Sequence, residues 1–173
     1  MEKYSLKIFL LLFFSSSYVF ASSTYSPHDC EYSVKFPSKP KYTTSFDPSL
    51  GEYSRAQYGA GNKDNGFFLR AECIGGLNTK GEKLNTKNFL KKQIVAYVTS
   101  NGIQDAEYHY NESELGKSVR ARGFKEIRNR MVTYESIIYV GKTSFIMLYT
   151  GGVSKKYPQL QVANFLRSLK KTN

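Results

Sequence analysis

The sequence predicts an α+β fold in which an antiparallel β-sheet of about six to eight strands is covered by two main helices. Segments rich in Val, Ile, Thr, Tyr and Phe recur between Gly- and Asn-rich turns, as in antiparallel sheets. A long helical pattern separates the first group of strands from the second, and another closes the chain. The stretch from Lys117 to Gly152 contains no Pro and predicts three consecutive strands, which we place at the centre of the sheet.

Two turns set the register that we predict within this central stretch. Gly141-Lys142 has the composition of a two-residue hairpin loop, since Gly readily adopts positive φ, and the other turn is centred on Arg128-Asn129. The first turn pairs Val140 with Thr143, Ile138 with Phe145, Ser136 with Met147 and Tyr134 with Tyr149; the second pairs Val119 with Ile138, Ala121 with Ser136, Gly123 with Tyr134 and Arg122 with Glu135. One face then has small residues that leave room for a covering helix.

The remaining elements follow from periodicity and turn residues. Strands are predicted at Glu31–Phe36, Lys41–Phe46, Tyr53–Ala60, Gly66–Ile74 and Ile103–Tyr110. The first helix is capped by Asn85 or Thr86, ends at Asn101-Gly102 and has an apolar stripe formed by Phe89, Leu90, Ile94, Tyr97 and Val98. The terminal helix begins near Pro158 with an apolar stripe of Leu160, Ala163, Leu166 and Leu169 and with Phe165 alongside, and Lys170 and Lys171 suit the negative end of its dipole.

The first 21 residues are typical of a secretory signal peptide. Lys3 and Lys7 precede the apolar run Ile8–Phe14, and the segment ends at Ala21, after which we expect cleavage. The alternative is a membrane anchor, but the run is far shorter than the roughly 20 residues that a spanning helix needs. The sequence therefore predicts a single domain at residues 22–173, periplasmic or secreted, without a transmembrane span after cleavage.

The chain has two cysteines, Cys30 and Cys73. Export to an oxidising compartment makes a disulfide the expected state of such a pair, and two free buried thiols are the alternative. His28, close to Cys30, is weak evidence for a metal site.

The chain carries a formal net charge of +11, and the mature chain one of +10, which favours anionic partners but equally serves solubility. The densest cationic group is Arg120, Arg122, Arg128 and Arg130, with Lys117 and Lys125 nearby. Arginines on an accessible sheet face can bind carboxylate or phosphate through paired hydrogen bonds, and ordinary solvated side chains are the alternative. We predict a protein or anionic envelope partner and no specific nucleic acid.

No catalytic constellation emerges from the sequence. Asp105, Glu107 and His109 lie at period two on one strand and are weak candidates for a metal site, although exposed strand faces show the same alternation. Two histidines and two cysteines expected to be bonded mark no nucleophilic triad, and phosphate- and dinucleotide-binding motifs are missing. We therefore predict that the protein is not an enzyme and holds no cofactor. Asn111-Glu112-Ser113 would be a glycosylation sequon only in a eukaryotic secretory pathway.

The order of the elements, together with three short segments, resembles the PsbP-like fold, which is shared with the Ran-binding Mog protein and DcrB-type exported bacterial proteins. The segments are Tyr32–Pro40 (YSVKFPSKP), the hairpin Tyr134–Tyr149 and the closing Asn164–Lys170 (NFLRSLK). Ser38 stands where Gly is commoner in this group. The resemblance implies an antiparallel sheet with helices packed on it and a non-enzymatic binding or assembly role, and it transfers no catalytic residue.

Two function classes follow. We expect an exported, non-enzymatic binding or assembly module of the cell envelope that docks on a protein or an anionic component. The alternative is a secreted effector or toxin-neutralising protein that acts on a foreign or host target.

Overall fold

A computed structural model describes residues 22–48, 51–77 and 86–172. The predicted signal peptide, residues 1–21, and the alternative helix cap Asn85 lie outside these ranges. The strands are β1 (Ser23–Tyr25), β2 (Tyr32–Phe36), β3 (Lys41–Asp47), β4 (Gly51–Ala60), β5 (Phe67–Ile74), β6 (Gln104–Ser113), β7 (Gly116–Glu126), β8 (Met131–Val140), β9 (Phe145–Val153) and β10 (Lys170–Lys171). The helices are α1 (Lys87–Ser100) and α2 (Leu160–Arg167), and a 3-10 turn covers Ser154–Lys156.

The main sheet has seven antiparallel strands in the order β3-β4-β5-β9-β8-β7-β6. A second sheet of three strands, β1-β2-β10, covers part of one face together with α2, and α1 covers the other face. The predicted α+β class with two main helices is confirmed. The small sheet was not predicted, because β1 and β10 are only three and two residues long. Lys170 and Lys171 therefore belong to a strand paired with β2 and not to a helix end.

Helix α1 packs as its periodicity predicts. Thr86 is its N-cap and accepts a hydrogen bond from the N–H of Phe89, and Leu90, Ile94 and Val98 are buried. They contact Val119, Ala121 and Ile138 of the central strands, so the small residues do leave room for a helix. This face forms one of two hydrophobic cores.

The second core lies between the other face of the main sheet and the small sheet. Ile146 and Leu148 of β9 are fully buried there against Val34, Phe36 and Phe165. Helix α2 agrees with the prediction in burying Phe165 but differs in that it is eight residues long, buries Val162 and leaves Leu160 71% exposed. Phe165 fills the space above β2, at 4.9 Å between its ring centroid and that of Phe36, and this contact sets the rotation of the helix.

The predicted β7–β8 register is confirmed, with Val119 opposite Ile138 and Arg122 opposite Glu135. The predicted β8–β9 register is wrong by two residues, since Val140 pairs with Phe145 and the loop has four residues, 141–144. The cause is Glu31, whose carboxylate accepts hydrogen bonds from the N–H groups of Lys142 (3.2 Å) and Thr143 (2.7 Å) and from the Thr143 hydroxyl (2.9 Å). The N–H groups of Lys142 and Thr143 are free to donate to Glu31 because both residues lie in the loop, outside the backbone hydrogen bonds that pair β8 with β9.

Strand β6 is also longer than predicted. It continues beyond the predicted end at Tyr110 through Asn111-Glu112-Ser113 and pairs with β7 as far as Ser113 opposite Gly116. The backbone at Gly116 has φ of +114°, a conformation that Gly tolerates, so a short turn suffices to reverse the chain.

Candidate functional site

Three segments of the chain meet at one end of the main sheet: the β4–β5 loop (61–66), the β7–β8 turn (127–130) and the end of β9 with the 3-10 turn that follows it (153–156). They meet because β5, β9, β8 and β7 are successive neighbours in the sheet. Arg130 Nη1 donates to the Lys63 carbonyl oxygen at 2.8 Å, and the Val153 N–H donates to the Gly66 carbonyl oxygen at 3.2 Å. Hydrogen bonds therefore hold the β4–β5 loop to the other two segments.

These segments carry five basic residues, which we call the basic end: Lys63, Arg128, Arg130, Lys155 and Lys156. All are exposed except Arg130, which is half-buried. Two acidic residues, Asp64 and Glu126, lie among them, so positive charge is in excess. A concentration of one sign of charge on exposed loops attracts anionic partners and is sensitive to ionic strength.

The local geometry of the turn explains why Arg128 faces solvent. Arg128 and Asn129 have φ of +50° and +61°, as in a two-residue type I′ turn. Ile127 and Arg130 close the turn through two reciprocal backbone hydrogen bonds of 2.8 and 3.1 Å. Arg128 thus lies at the tip of the hairpin with an exposed side chain.

The other two predicted arginines, Arg120 and Arg122, lie on the face of β7 opposite the one that α1 covers. Arg120 Nη2 is 2.9 Å from Oε1 of Glu135, whose side chain is 2% exposed. The contact is a close ion pair although the N–H groups of Arg120 are not aligned with that oxygen. Arg120 is therefore the counter-ion of a buried carboxylate, whereas the register places Arg122 directly opposite Glu135. The pair is diagonal across the two strands.

Tyr157 completes this group. Its hydroxyl donates to Oε2 of Glu135 at 3.2 Å and lies 2.7 Å from the Thr150 hydroxyl, and burial raises the pKa of the phenol, which stays protonated. The guanidinium of Arg122 lies over the Tyr157 ring, 5.4 Å from the centroid. Because Tyr157 directly follows Lys156, this contact brings Arg122 next to the basic end.

The four arginines thus do not form one cluster. Arg128 and Arg130 belong to the basic end, Arg122 lies beside it and Arg120 neutralises Glu135. Sequence reasoning missed Lys63, Lys155 and Lys156, because only the strand order brings them to the β7–β8 turn. Lys117 and Lys125 are half-buried, and Lys125 Nζ donates to the Asn101 carbonyl oxygen at the end of α1.

The weak metal candidates are only partly brought together. Glu107 and His109 share a face of β6, with 3.9 Å between Oε2 and Nε2. A β-bulge between Gln104 and Glu107 gives Asp105 a φ of +48°, so the strand alternation that would group Asp105 with Glu107 and His109 is interrupted. Within the described ranges, no group of three or more His, Cys, Asp or Glu side chains is placed to hold a metal ion.

The predicted disulfide is confirmed. Cys30 and Cys73 are bonded, with their Cα atoms 6.2 Å apart, and both are buried. The bond ties the segment before β2 to the end of β5. It fits a protein of an oxidising compartment.

His28 is exposed and contacts Asp29, with 3.0 Å between Nδ1 and Oδ1.

A groove of about 690 Å³ opens beside the basic end, between α2, β2 and the β4–β5 hairpin. Its apolar walls include Phe36, Tyr58, Phe67 and Phe165, and Leu160 lies at its border. The groove shares Asn65 with the β4–β5 loop, so an apolar surface and a cationic one adjoin. The sequence offered no signal for this groove, since its walls come from four separate elements.

Comparison with solved structures identifies the architecture. The solution structure of cyanobacterial PsbP (CyanoP) from Synechocystis sp. PCC 6803 matches with a TM-score of 0.52 at 9% identity, covering 91% of this chain and 96% of that one. The chain has a PsbP-like fold. A Bacteroides thetaiotaomicron VPI-5482 crystal structure matches with a TM-score of 0.48 at 10% identity, and this chain, 87% covered, spans 48% of its length. No protein-family model and no curated protein matches the sequence.

The PsbP-like fold agrees with the resemblance given by the three short segments, and it shows architecture alone at this level of identity. Neither helix in the described part of the chain has the length and hydropathy of a membrane-spanning helix.

Proposed function

We propose that the protein is an exported, non-enzymatic binding module of the cell envelope whose basic end docks on an acidic protein or another anionic envelope component. The observation that carries the proposal is the convergence of five cations from three separate segments, all on loops at one end of the sheet. Loops on a rigid scaffold are a common place for binding residues. The apolar groove beside the basic end would receive an apolar side chain of the partner.

Export is part of the proposal, and it rests on residues 1–21 and on the disulfide. The expected mature N-terminus is Ser22, and N-terminal sequencing of the protein recovered from outside the cytoplasm tests this. A protein that retains Lys3 and Lys7 would contradict cleavage after Ala21.

The non-enzymatic role is supported by the separation of the two histidines. His28 precedes β2 and His109 lies on the edge strand β6, and both are exposed. General bases are usually oriented by a second group and shielded from bulk water. Each histidine has an acidic neighbour, Asp29 or Glu107, but neither is shielded from bulk water.

The test is affinity capture from an envelope extract with the mature protein as bait. The variant Lys155→Glu/Lys156→Glu reverses two exposed charges at the basic end, and Lys91→Glu/Lys92→Glu reverses two exposed charges on the outer side of α1. Both change the net charge equally, so the second is a matched control. We expect the first to lose captured partners at least tenfold and the second to retain them, with capture by the wild type falling as salt rises.

Equal loss in both variants would show that net charge and not the basic end drives binding. Unchanged capture by Lys155→Glu/Lys156→Glu would exclude the basic end as the docking surface. Far-UV circular dichroism checks that both variants remain folded.

A further inference from the structure

The two edge strands of the main sheet differ in how they are protected. Strand β6 carries a β-bulge and four acidic or imidazole side chains, Asp105, Glu107, His109 and Glu112, features that discourage pairing with another strand. Strand β3, with the sequence KYTTSFD, has charges at its first and last positions only. Its interior is free of Pro and Gly. The outer edge of β3 pairs with no strand of the described chain.

Strand β3 also exposes two aromatic side chains. Tyr42 is 48% and Phe46 72% exposed, and alternation places both on the same face of the strand with Thr44 between them. Tyr42 is held in position by stacking on Tyr25, with 6.3 Å between centroids and 23° between ring planes. A strand edge with an uncharged interior and exposed aromatic side chains is a surface that accepts a further strand.

The sequence of β3 is complementary to itself when read antiparallel. Centred on Thr44, such a pairing sets Lys41 opposite Asp47, Tyr42 opposite Phe46, and Thr43 opposite Ser45. Opposite charges meet at both ends, aromatic side chains meet aromatic side chains, and hydroxyl residues meet in the middle, the cross-strand pairs that stabilise antiparallel sheets. Because the arrangement has two-fold symmetry, each pair occurs twice.

We propose that a second copy of this chain docks on β3, forming a symmetric dimer in which the two seven-stranded sheets join edge to edge through antiparallel β3–β3 pairing. The occupant is a second copy because the charge order of β3 fits its own reverse. Seven residues span about 23 Å, and one strand pair buries less surface than a standard interface, so the dimer is weak, with a Kd in the micromolar range or above.

The charges at the ends of β3 provide a discriminating experiment. Lys41→Asp sets two acidic residues opposite each other in a homodimer, and Asp47→Lys sets two basic residues opposite each other. A mixture of the two variants restores opposite charges at both ends of the strand pair. The first variant is acidic at positions 41 and 47, and the second is basic at both positions. Sedimentation equilibrium is run at concentrations up to the order of 100 µM, on each variant alone and on the equimolar mixture.

We expect each single variant to dimerise at least tenfold more weakly than the wild type, and the mixture to recover most of that loss. Recovery on mixing cannot come from a folding defect or from the loss of a contact within one chain. A wild type that stays monomeric over this range overturns the proposal, as does a mixture that associates no better than its components.

A second pair of variants tests the aromatic contact. Phe46→Ser removes the most exposed aromatic side chain of β3, and Leu160→Ser removes an equally exposed apolar side chain at the border of the groove. We expect at least a tenfold weaker dimer for the first and no change for the second. If Leu160→Ser alone weakens association, the copies meet through the groove and the β3 proposal is wrong. If Phe46→Ser blocks capture of another protein without altering self-association, β3 docks a different partner and the proposal is equally wrong.

Discussion

Replacing Glu31 by Gln tests the contact that fixes the β8–β9 loop. The carboxylate, 17% exposed, accepts hydrogen bonds from Thr143 and Lys142 and lies 3.6 Å from Lys171 Nζ. Whichever way the Gln amide turns, its N–H₂ group faces a donor of the loop. Hydrogen bonds to a charged group contribute about 1.5–3 kcal/mol each. Because the Gln carbonyl oxygen can still accept some of these hydrogen bonds, we expect the unfolding free energy to fall by about 2 kcal/mol.

The pH dependence follows from the pKa of Glu31. Burial opposes ionisation, but the hydrogen bonds from Thr143 and Lys142, together with the charge of Lys171, outweigh it and lower the pKa below the usual 4.5. The contribution of Glu31 to stability is therefore fully present above pH 4.5 and is lost as the pH falls through the lower folded-state pKa. The difference between the wild type and Glu31→Gln should be largest at neutral pH and shrink in acid.

The assay is urea denaturation followed by far-UV circular dichroism at pH 7 and at about pH 3, with thermal melts in parallel. A loss of about 2 kcal/mol corresponds to about 4–8 °C in Tm for a domain of this size. Glu52→Gln, which removes an exposed carboxylate on β4, is the matched control and should leave stability unchanged. Equal stability of Glu31→Gln and the wild type at pH 7, or a difference that persists at low pH, would refute the reasoning.

Two further predictions concern buried groups. Arg120→Met leaves the buried Glu135 carboxylate without its cation, and because half of Arg120 is exposed, we expect the unfolding free energy measured by urea denaturation to fall by about 2 kcal/mol. Arg122→Met removes only the contact with the Tyr157 ring and should lower the unfolding free energy by less than about 1 kcal/mol. Adding Glu135→Gln to Arg120→Met should recover part of the loss; no recovery would show that Arg120 acts through packing. Cys30→Ala/Cys73→Ala removes a link between residues 43 positions apart and should cost up to about 4 kcal/mol, and thiol labelling of the unreduced, denatured wild type should find no free thiol.

The sequence predicted best what neighbouring residues encode. The core face of the central strands is right even where the register is wrong, because a shift of two residues leaves Ile138 and Val140 on the same side of the sheet. Helix α1 has its predicted apolar stripe and its cap at Thr86, since both depend on residues within one or two turns. The disulfide also followed from the sequence, because two cysteines leave a single pairing and the predicted export favours that bond.

Contacts between distant parts of the chain could not be predicted in this way. The loop 141–144 takes its length from Glu31, which is 112 residues away from Thr143 in the sequence, and no local pattern near Gly141 reveals that partner. Arg120 pairs with Glu135, and Arg122 lies over the ring of Tyr157, which follows a different strand.

The charge and the periodicity of this protein are properties of the sequence alone, since they can be read within short windows. Where that charge lies on the folded protein is decided only by the tertiary structure. Lys63, Arg128 and Lys155 meet at one end because β5, β9, β8 and β7 are neighbours in the sheet, and β3 is an exposed edge because no other strand of the described residues lies beyond it in that order. Strand order is decided by which apolar faces bury each other, and that choice is made only when the whole chain packs.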